Sequence, residues 1–110
     1  MDINKMQEME KSETIPFSEI PESFEGVLTA ENVRQDEYKA NCLFWTISVK
    51  GDDRPIIQKF TPSQIPRIRQ FAEANGIKNT DALIGKTMGF KKVIPANKNA
   101  NPRWYPVAIL

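Results

Sequence analysis

Residues 41–60, NCLFWTISVK-GDDR-PIIQKF, contain two alternating segments on either side of a turn sequence. In the first segment every second residue is apolar, and these residues are Leu43, Trp45, Ile47 and Val49. This two-residue period predicts a strand with one buried and one solvent-facing side. Residues 51–54 predict the turn, because glycine supplies a positive φ and aspartate hydrogen-bonds to its own backbone. We therefore predict an antiparallel β-hairpin.

The solvent-facing side of this hairpin carries side chains suited to contact with nucleic acid. Phe44 and Lys50 are out of phase with the buried set, and the second strand adds either Gln58 or Lys59. An aromatic ring beside amide and ammonium groups suits stacking on bases. The alternative for Phe44 is a strand buried on both sides, for instance beneath the N-terminal residues. Trp45 has the opposite phase, so we expect it in the core and not in contact with ligand.

The composition limits the class of protein. A chain of 110 residues forms one domain with a single modest core. Cys42 is the only cysteine and there is no histidine, which excludes a disulfide framework, a zinc finger and a histidine-based triad within one chain. No apolar run approaches the roughly 18 residues that span a bilayer, so we expect no membrane contact. The default expectation is a cytoplasmic protein, and association with the nucleoid is open.

Charge is divided unevenly along the chain. Residues 1–37 contain ten acidic and three basic side chains, whereas residues 38–110 contain four acidic and twelve basic ones. The resulting net charges of −7 and +8 sum to the +1 of the whole chain. This asymmetry indicates nucleic-acid contact, or an acidic segment that covers a basic face. Chance segregation of surface charge is the alternative.

The N-terminal third is expected to hold an extension and one strand. Residues 1–23 are acidic and interrupted by prolines, so we expect a mobile or loosely docked extension whose PFSEIP motif (16–21) pins its far end to the domain. The domain itself is expected to span residues 24–110. Residues 24–34 predict its first strand, with Gly26 at a bulge or a sharp bend.

The C-terminal half predicts one helix and two strands. The helix is expected to start near Pro66 and to end at Asn75-Gly76, where glycine favours termination. Residues 86–94 predict a fourth strand and residues 103–110 a fifth. The segment between them, 95–102, reads PANKNANP and predicts a loop.

The order strand, strand, strand, helix, strand, strand over residues 24–110 resembles that of the oligonucleotide/oligosaccharide-binding (OB) fold. The hairpin, the KFTPSQ entry to the helix (59–64) and the GKTMGF entry to the fourth strand (85–90) are similar to small single-stranded-DNA-binding and replication-protein-A-type domains. The resemblance implies an all-β fold with one helix, a five-stranded Greek-key barrel with the helix between strands 3 and 4. Bacterial single-stranded-DNA-binding proteins carry an acidic C-terminal tail, whereas the acidic segment lies at the other end here, so docking of partners through a tail is not implied.

The resemblance implies a ligand surface on the outer side of strands 2 and 3, flanked by the loops between strands 1 and 2 and between strands 4 and 5. Aromatic faces there stack on bases and cations track the phosphates. The candidate nucleic-acid-binding residues are Phe44, Lys50, Lys59, Tyr38, Lys39, Lys91, Lys92, Lys98, Arg103 and Trp104. The asparagines at 97, 99 and 101 could contact base edges, although a solvated turn is the alternative.

Two adjacent aromatic residues near the C-terminus are expected to point to opposite sides of the last strand. Tyr105 shares its phase with Val107 and Ile109, so we expect Tyr105 in the core and Trp104 facing solvent. A barrel corner that buries both rings is the alternative.

The expected function is therefore non-catalytic binding of single-stranded DNA with little sequence preference. We expect no enzyme activity, cofactor or metal, because the carboxylates concentrate in the N-terminal extension and no phosphate-cradling GxxxxGK(S/T) motif is present. The acidic extension is expected to compete with nucleic acid for the basic cleft. Two alternatives remain open, an OB subunit that holds a protein partner and an RNA-binding OB domain. Self-association through edge strands is also open.

Overall fold

The computed structural model describes residues 14–96 and 101–110. Its elements, in chain order, are a 3-10 turn at Phe17–Glu19, β1 at Ser23–Gln35, β2 at Asn41–Val49, β3 at Ile56–Phe60, the helix α1 at Ile65–Ala74, a second 3-10 turn at Thr80–Leu83, β4 at Thr87–Val93 and β5 at Arg103–Ile109. The predicted order of five strands with the helix between the third and fourth is confirmed. Among the described residues no helix is long and apolar enough to cross a membrane.

The strands form one antiparallel sheet in the order β3-β2-β1-β4-β5. The predicted hairpin is confirmed, and Trp45 of β2 pairs with Gln58 of β3. β1 is the central strand, because its 13 residues pair with β4 through their first half and with β2 over most of their length. Since paired residues share a face, this register decides which side chains lie together on the outside.

Gly26 of β1 has a different role from the predicted bulge or bend. The irregularity in the β1–β2 register falls between Leu28 and Ala30. A Cβ at Gly26 would lie 2.6 Å from Cγ2 of Ile47 on the neighbouring strand. Glycine is needed here because the core side chain of Ile47 packs directly against the β1 backbone.

The sheet is not closed into a barrel by strand pairing. β3 and β5 are its two edges, and a side chain links them: the backbone N–H of Trp104 donates to Oε1 of Gln58 at 2.9 Å. The core takes side chains from all five strands and from α1, and its fully buried members include Leu28, Trp45, Ile47, Phe60, Ile68, Leu83, Met88, Phe90 and Trp104. Trp45 is in the core as predicted.

The N-terminal segment, residues 14–22, is hydrogen-bonded to the residue before β3 and to β4. Ile15 and Ile20 are buried, and the Ile15 N–H donates to the carbonyl of Pro55 just before β3. The Lys92 N–H on β4 donates to the carbonyl of Glu22. These residues, which the sequence assigned to a mobile extension, therefore contribute to the hydrophobic core. The rest of the predicted extension, residues 1–13, lies outside the described residues.

Candidate nucleic-acid interface

The outer side of β1, β2 and β3 carries a row of cross-strand neighbours centred on Phe44. Phe44 pairs with Asn32 of β1 and with Lys59 of β3, and Thr46 and Arg34 share the same side through the two-residue period. We call these five residues the Phe44 face. Phe44 lies on the opposite side of β2 from Leu43 and Trp45 and is half-buried. Its ring therefore does not enter the core.

A cation covers one side of the Phe44 ring. The guanidinium carbon of Arg34 lies 4.2 Å from the ring centroid, within the range of a cation–π interaction. Arg34 itself is exposed. An exposed guanidinium over an aromatic ring offers a cationic surface to a ligand.

The loop between β1 and β2, residues 36–40, adjoins the Phe44 face and is ordered by one carboxylate. Oδ1 of Asp36 accepts hydrogen bonds from the backbone N–H groups of Tyr38, at 2.9 Å, and Ala40, at 3.0 Å. Lys39 has a positive φ of 60°, and its N–H donates to the carbonyl of Asp36. Tyr38 at the tip is 81% exposed. The loop thus presents an uncovered aromatic ring and a lysine in a defined backbone conformation.

Asp36 also joins the loop to the Phe44 face through Lys59. Nζ of Lys59 lies 2.7 Å from Oδ2 of Asp36, and the Sγ of Cys42 donates to the same oxygen at 3.6 Å. The hydrogen bond from Lys59, together with those from the loop backbone, lowers the pKa of Asp36 to about 2. The same pair raises the pKa of Lys59, and burial raises the pKa of the Cys42 thiol. Lys59 is on the predicted surface, but its charge is neutralised by Asp36.

The prediction that Trp104 faces solvent is wrong. Trp104 is fully buried, because the N-terminal segment covers it: Phe17 packs on its ring at 5.8 Å between centroids, and its Nε1 donates to the carbonyl of Pro21 at 2.9 Å. Tyr105 is buried as predicted, against Phe60. Both neighbours are thus covered, as in the alternative of a corner that buries two rings, and Trp104 is not available to a ligand.

Arg103 is half-buried and held by the entry to α1. Its Nε donates to Oε1 of Gln64 at 3.3 Å, and burial lowers the pKa of its guanidinium. The Gln64 oxygen also accepts the N–H of Thr61, so Arg103 is tied to the segment that starts the helix. Arg103 has no ion pair among the described residues.

The remaining predicted cations lie away from the Phe44 face. Lys50 follows the other end of β2, six residues beyond Phe44, which is roughly 20 Å along an extended strand. Lys91 is exposed on β4, and Nζ of Lys92 lies 5.7 Å from the Trp104 ring centroid. Lys98 lies outside the described residues, as do the asparagines at 97 and 99. The described members of the predicted set are therefore not gathered at one site.

Arg34, Asn32 and Asp36 are absent from the set predicted from the sequence. Arg34 and Asn32 lie on β1 opposite β2, and the signal was their shared phase at the end of a predicted strand. Asp36 could have been found as an aspartate that opens a short polar loop, a position where such side chains bond to nearby backbone N–H groups. Its pairing with Lys59 depends on the register of three strands.

Among the described residues no group of three or more histidine, cysteine, aspartate or glutamate side chains is placed to hold a metal ion. Comparison of the chain with protein-family models, with curated proteins and with solved structures gave no match.

Proposed function

We propose that this protein binds single-stranded DNA without catalysis and with little sequence preference, at the Phe44 face and the adjoining β1–β2 loop. The observation that carries the proposal is the Phe44 ring capped by Arg34 on the outer side of the sheet, with the exposed Tyr38 ring in the adjoining loop. Bases stack on aromatic rings and on guanidinium planes whatever their identity, and each stacked base contributes roughly 1–3 kcal/mol. Unpaired bases are required, which favours single strands over duplex.

The charge of this surface supports binding of moderate salt dependence. Arg34, Lys39 and Lys59 bring three positive charges, and Asp36 and the exposed Glu37 bring two negative ones. Each neutralised phosphate of a single strand contributes about −0.7 to the slope of log affinity against log salt. The Phe44 face and the β1–β2 loop together therefore give a slope no steeper than about −2. A steeper slope would indicate further phosphate contacts, and Lys91 and Lys92 on β4 are the residues that would supply them.

We further propose that the fold is a partly open OB barrel. The sheet order β3-β2-β1-β4-β5, with α1 between β3 and β4, supports this, as does the approach of the β3 and β5 edges at Gln58 and Trp104. In that architecture the Phe44 face and the β1–β2 loop belong to the surface that binds oligonucleotides.

A protein partner is the second candidate for the same region. Two large apolar side chains are strongly exposed at or beside the β1–β2 loop: Val33 at 69% and Tyr38 at 81%. Exposed apolar groups of this size suit a partner surface as well as bases. This candidate predicts that oligonucleotides do not bind.

The test is fluorescence anisotropy of labelled oligo-dT, oligo-U and a DNA duplex of about 16 nucleotides, at about 50 mM and about 200 mM salt. An extrinsic label is needed because both tryptophans are fully buried. Arg34→Ala and Tyr38→Ala should each weaken oligo-dT binding about tenfold, whereas Arg69→Ala on the exposed side of α1 serves as the matched control. Preference for oligo-U would reassign the ligand to RNA. No binding of any oligonucleotide at low salt would refute the proposal.

A further inference from the structure

The β1–β2 loop contains a backbone conformation that must be held in place. Lys39 has φ 60°, in the left-handed region that residues with a Cβ adopt at a cost. Such a conformation persists only where surrounding bonds enforce it. The enforcing bonds here come from Asp36, through its side-chain oxygen to the N–H groups of Tyr38 and Ala40 and through its carbonyl to the N–H of Lys39.

Asp36 is not placed to meet a ligand itself. Its side chain is only 5% exposed, and both oxygens are already occupied by donors from the loop, Lys59 and Cys42. A negative charge would also repel phosphate. Asp36 therefore acts indirectly, through the loop residues to which it is hydrogen-bonded.

The loop residues that Asp36 positions are exposed to solvent. Tyr38 and Lys39 form the tip of the loop, and both are exposed. A flexible loop pays an ordering cost on binding, whereas a loop already fixed in shape does not. The carboxylate therefore acts before the ligand arrives, by removing that cost.

We infer that Asp36 is a positioning residue for nucleic-acid binding, which fixes the β1–β2 loop so that the Tyr38 ring and the Lys39 ammonium group meet the strand in a preformed arrangement. This inference rests on the proposed function of the Phe44 face. It separates two properties of Asp36, the acceptor geometry that orders the loop and the charge that pairs with Lys59.

Two substitutions of equal charge separate these properties. D36N keeps an acceptor oxygen for the loop N–H groups and releases Lys59, whereas D36A also releases Lys59 but leaves no acceptor. In the oligo-dT titration D36N should bind as tightly as the wild type or more tightly. D36A should bind about tenfold more weakly than D36N. Equal affinities of the two variants would overturn the inference.

The second readout is the order of the loop without ligand. The backbone order parameter at Tyr38 should be that of rigid backbone in the wild type and in D36N and should fall in D36A. In addition, Tyr38→Ala should cost less affinity in the D36A background than in the wild type, because Asp36 acts through that ring. An unchanged cost contradicts the inference.

Two experimental controls distinguish a variant that does not fold from failure of the proposed function. If D36A does not fold, D36E replaces it, since glutamate keeps the charge but its longer side chain displaces the acceptor; D36E should then bind more weakly than the wild type, which has the same charge. If the wild type binds no oligonucleotide, the proposed function fails, while the order parameter at Tyr38 still decides whether Asp36 fixes the loop.

Discussion

The backbone N–H of Trp104 on β5 donates a 2.9 Å hydrogen bond to the side-chain Oε1 of Gln58 on β3, and both residues are fully buried. This bond joins the two edges of the sheet where the strands do not pair. Gln58 also donates from Nε2 to the carbonyl of Lys59, so its amide is satisfied on both sides. A buried amide that is fully bonded stabilises one arrangement of the edges, because any other leaves polar atoms unpaired.

Gln58→Leu should destabilise the protein by about 1–3 kcal/mol. Leucine fills a similar volume but leaves the buried Trp104 N–H without an acceptor. Chemical denaturation measures the change, and Gln70→Leu on the exposed side of α1 is the matched control, expected to be near neutral. Equal stabilities of the two variants would show that the edges do not depend on this bond.

Ile20→Ala should destabilise the protein by about 2–5 kcal/mol, because Ile20 of the N-terminal segment is 6% exposed and packs into the core. Ile94→Ala, at a side chain that is 75% exposed, provides the control and should change stability by less than about 0.5 kcal/mol. Urea unfolding of both variants compares them directly. A near-neutral Ile20→Ala would mean that residues 14–22 are dispensable for the fold.

Burial that follows from strand periodicity could be predicted from the sequence, whereas burial that depends on distant segments could not. Periodicity depends only on neighbours along the strand, so it correctly assigned Trp45 to the core and Phe44 to the outer side. The burial of Trp104 depends on Phe17 and Pro21, which lie more than 80 residues earlier in the chain. No local pattern reports such a contact. The PFSEIP motif suggested that the segment was pinned, but not which side chain it covers.

The same limit applies to the candidate site. The positions of Phe44 and Tyr38 follow from strand phase and loop composition. The neutralisation of Lys59 by Asp36 requires that the β1–β2 loop fold over the third strand, and the cap of Arg34 on Phe44 requires the β1–β2 register. Charge counts along the chain cannot separate a paired lysine from a free one, so the sequence predicts Lys59 as a cation but not its pairing with Asp36.

Removal of residues 1–13 should tighten oligo-dT binding at low salt. Thr14 lies beside Ile57, whose partner Thr46 belongs to the Phe44 face, so the chain reaches the fold next to the proposed interface. Residues 1–13 carry four acidic and two basic side chains.

A full-length variant with those four acids changed to their amides should reproduce the gain, and the gain should vanish at high salt. Unchanged affinity in both variants rules out competition. Deletion of residues 1–22 is a poor test, because it also removes Ile15 and Ile20 from the core.

The Asp36–Lys59 pair should make stability depend on pH in the acid range. The folded-state pKa of Asp36, about 2, lies below its ordinary value of 3.8. A carboxylate with a lowered pKa stabilises the fold above its unfolded pKa, and this contribution is lost as the pH falls from about 4 towards 2. D36N should therefore be less stable than the wild type at neutral pH, and the difference should shrink over that interval. Denaturant midpoints at a series of pH values measure it; a difference that stays constant down to pH 2 contradicts the lowered pKa.

Gly26→Ala should destabilise the protein by about 1–3 kcal/mol, because the added methyl group would lie 2.6 Å from Cγ2 of Ile47 and 3.1 Å from the carbonyl oxygen of Ser48. Gly89→Ala on β4 is the matched control, since its nearest neighbour would be Cγ2 of Val107 at 3.8 Å, an ordinary contact. Alanine at position 89 should be neutral or slightly stabilising, through the lower entropy of the unfolded chain. Thermal unfolding of the two variants distinguishes a close approach of strands from a general effect of glycine in the sheet. Equal losses at both positions would assign the effect to the sheet and not to the Ile47 contact.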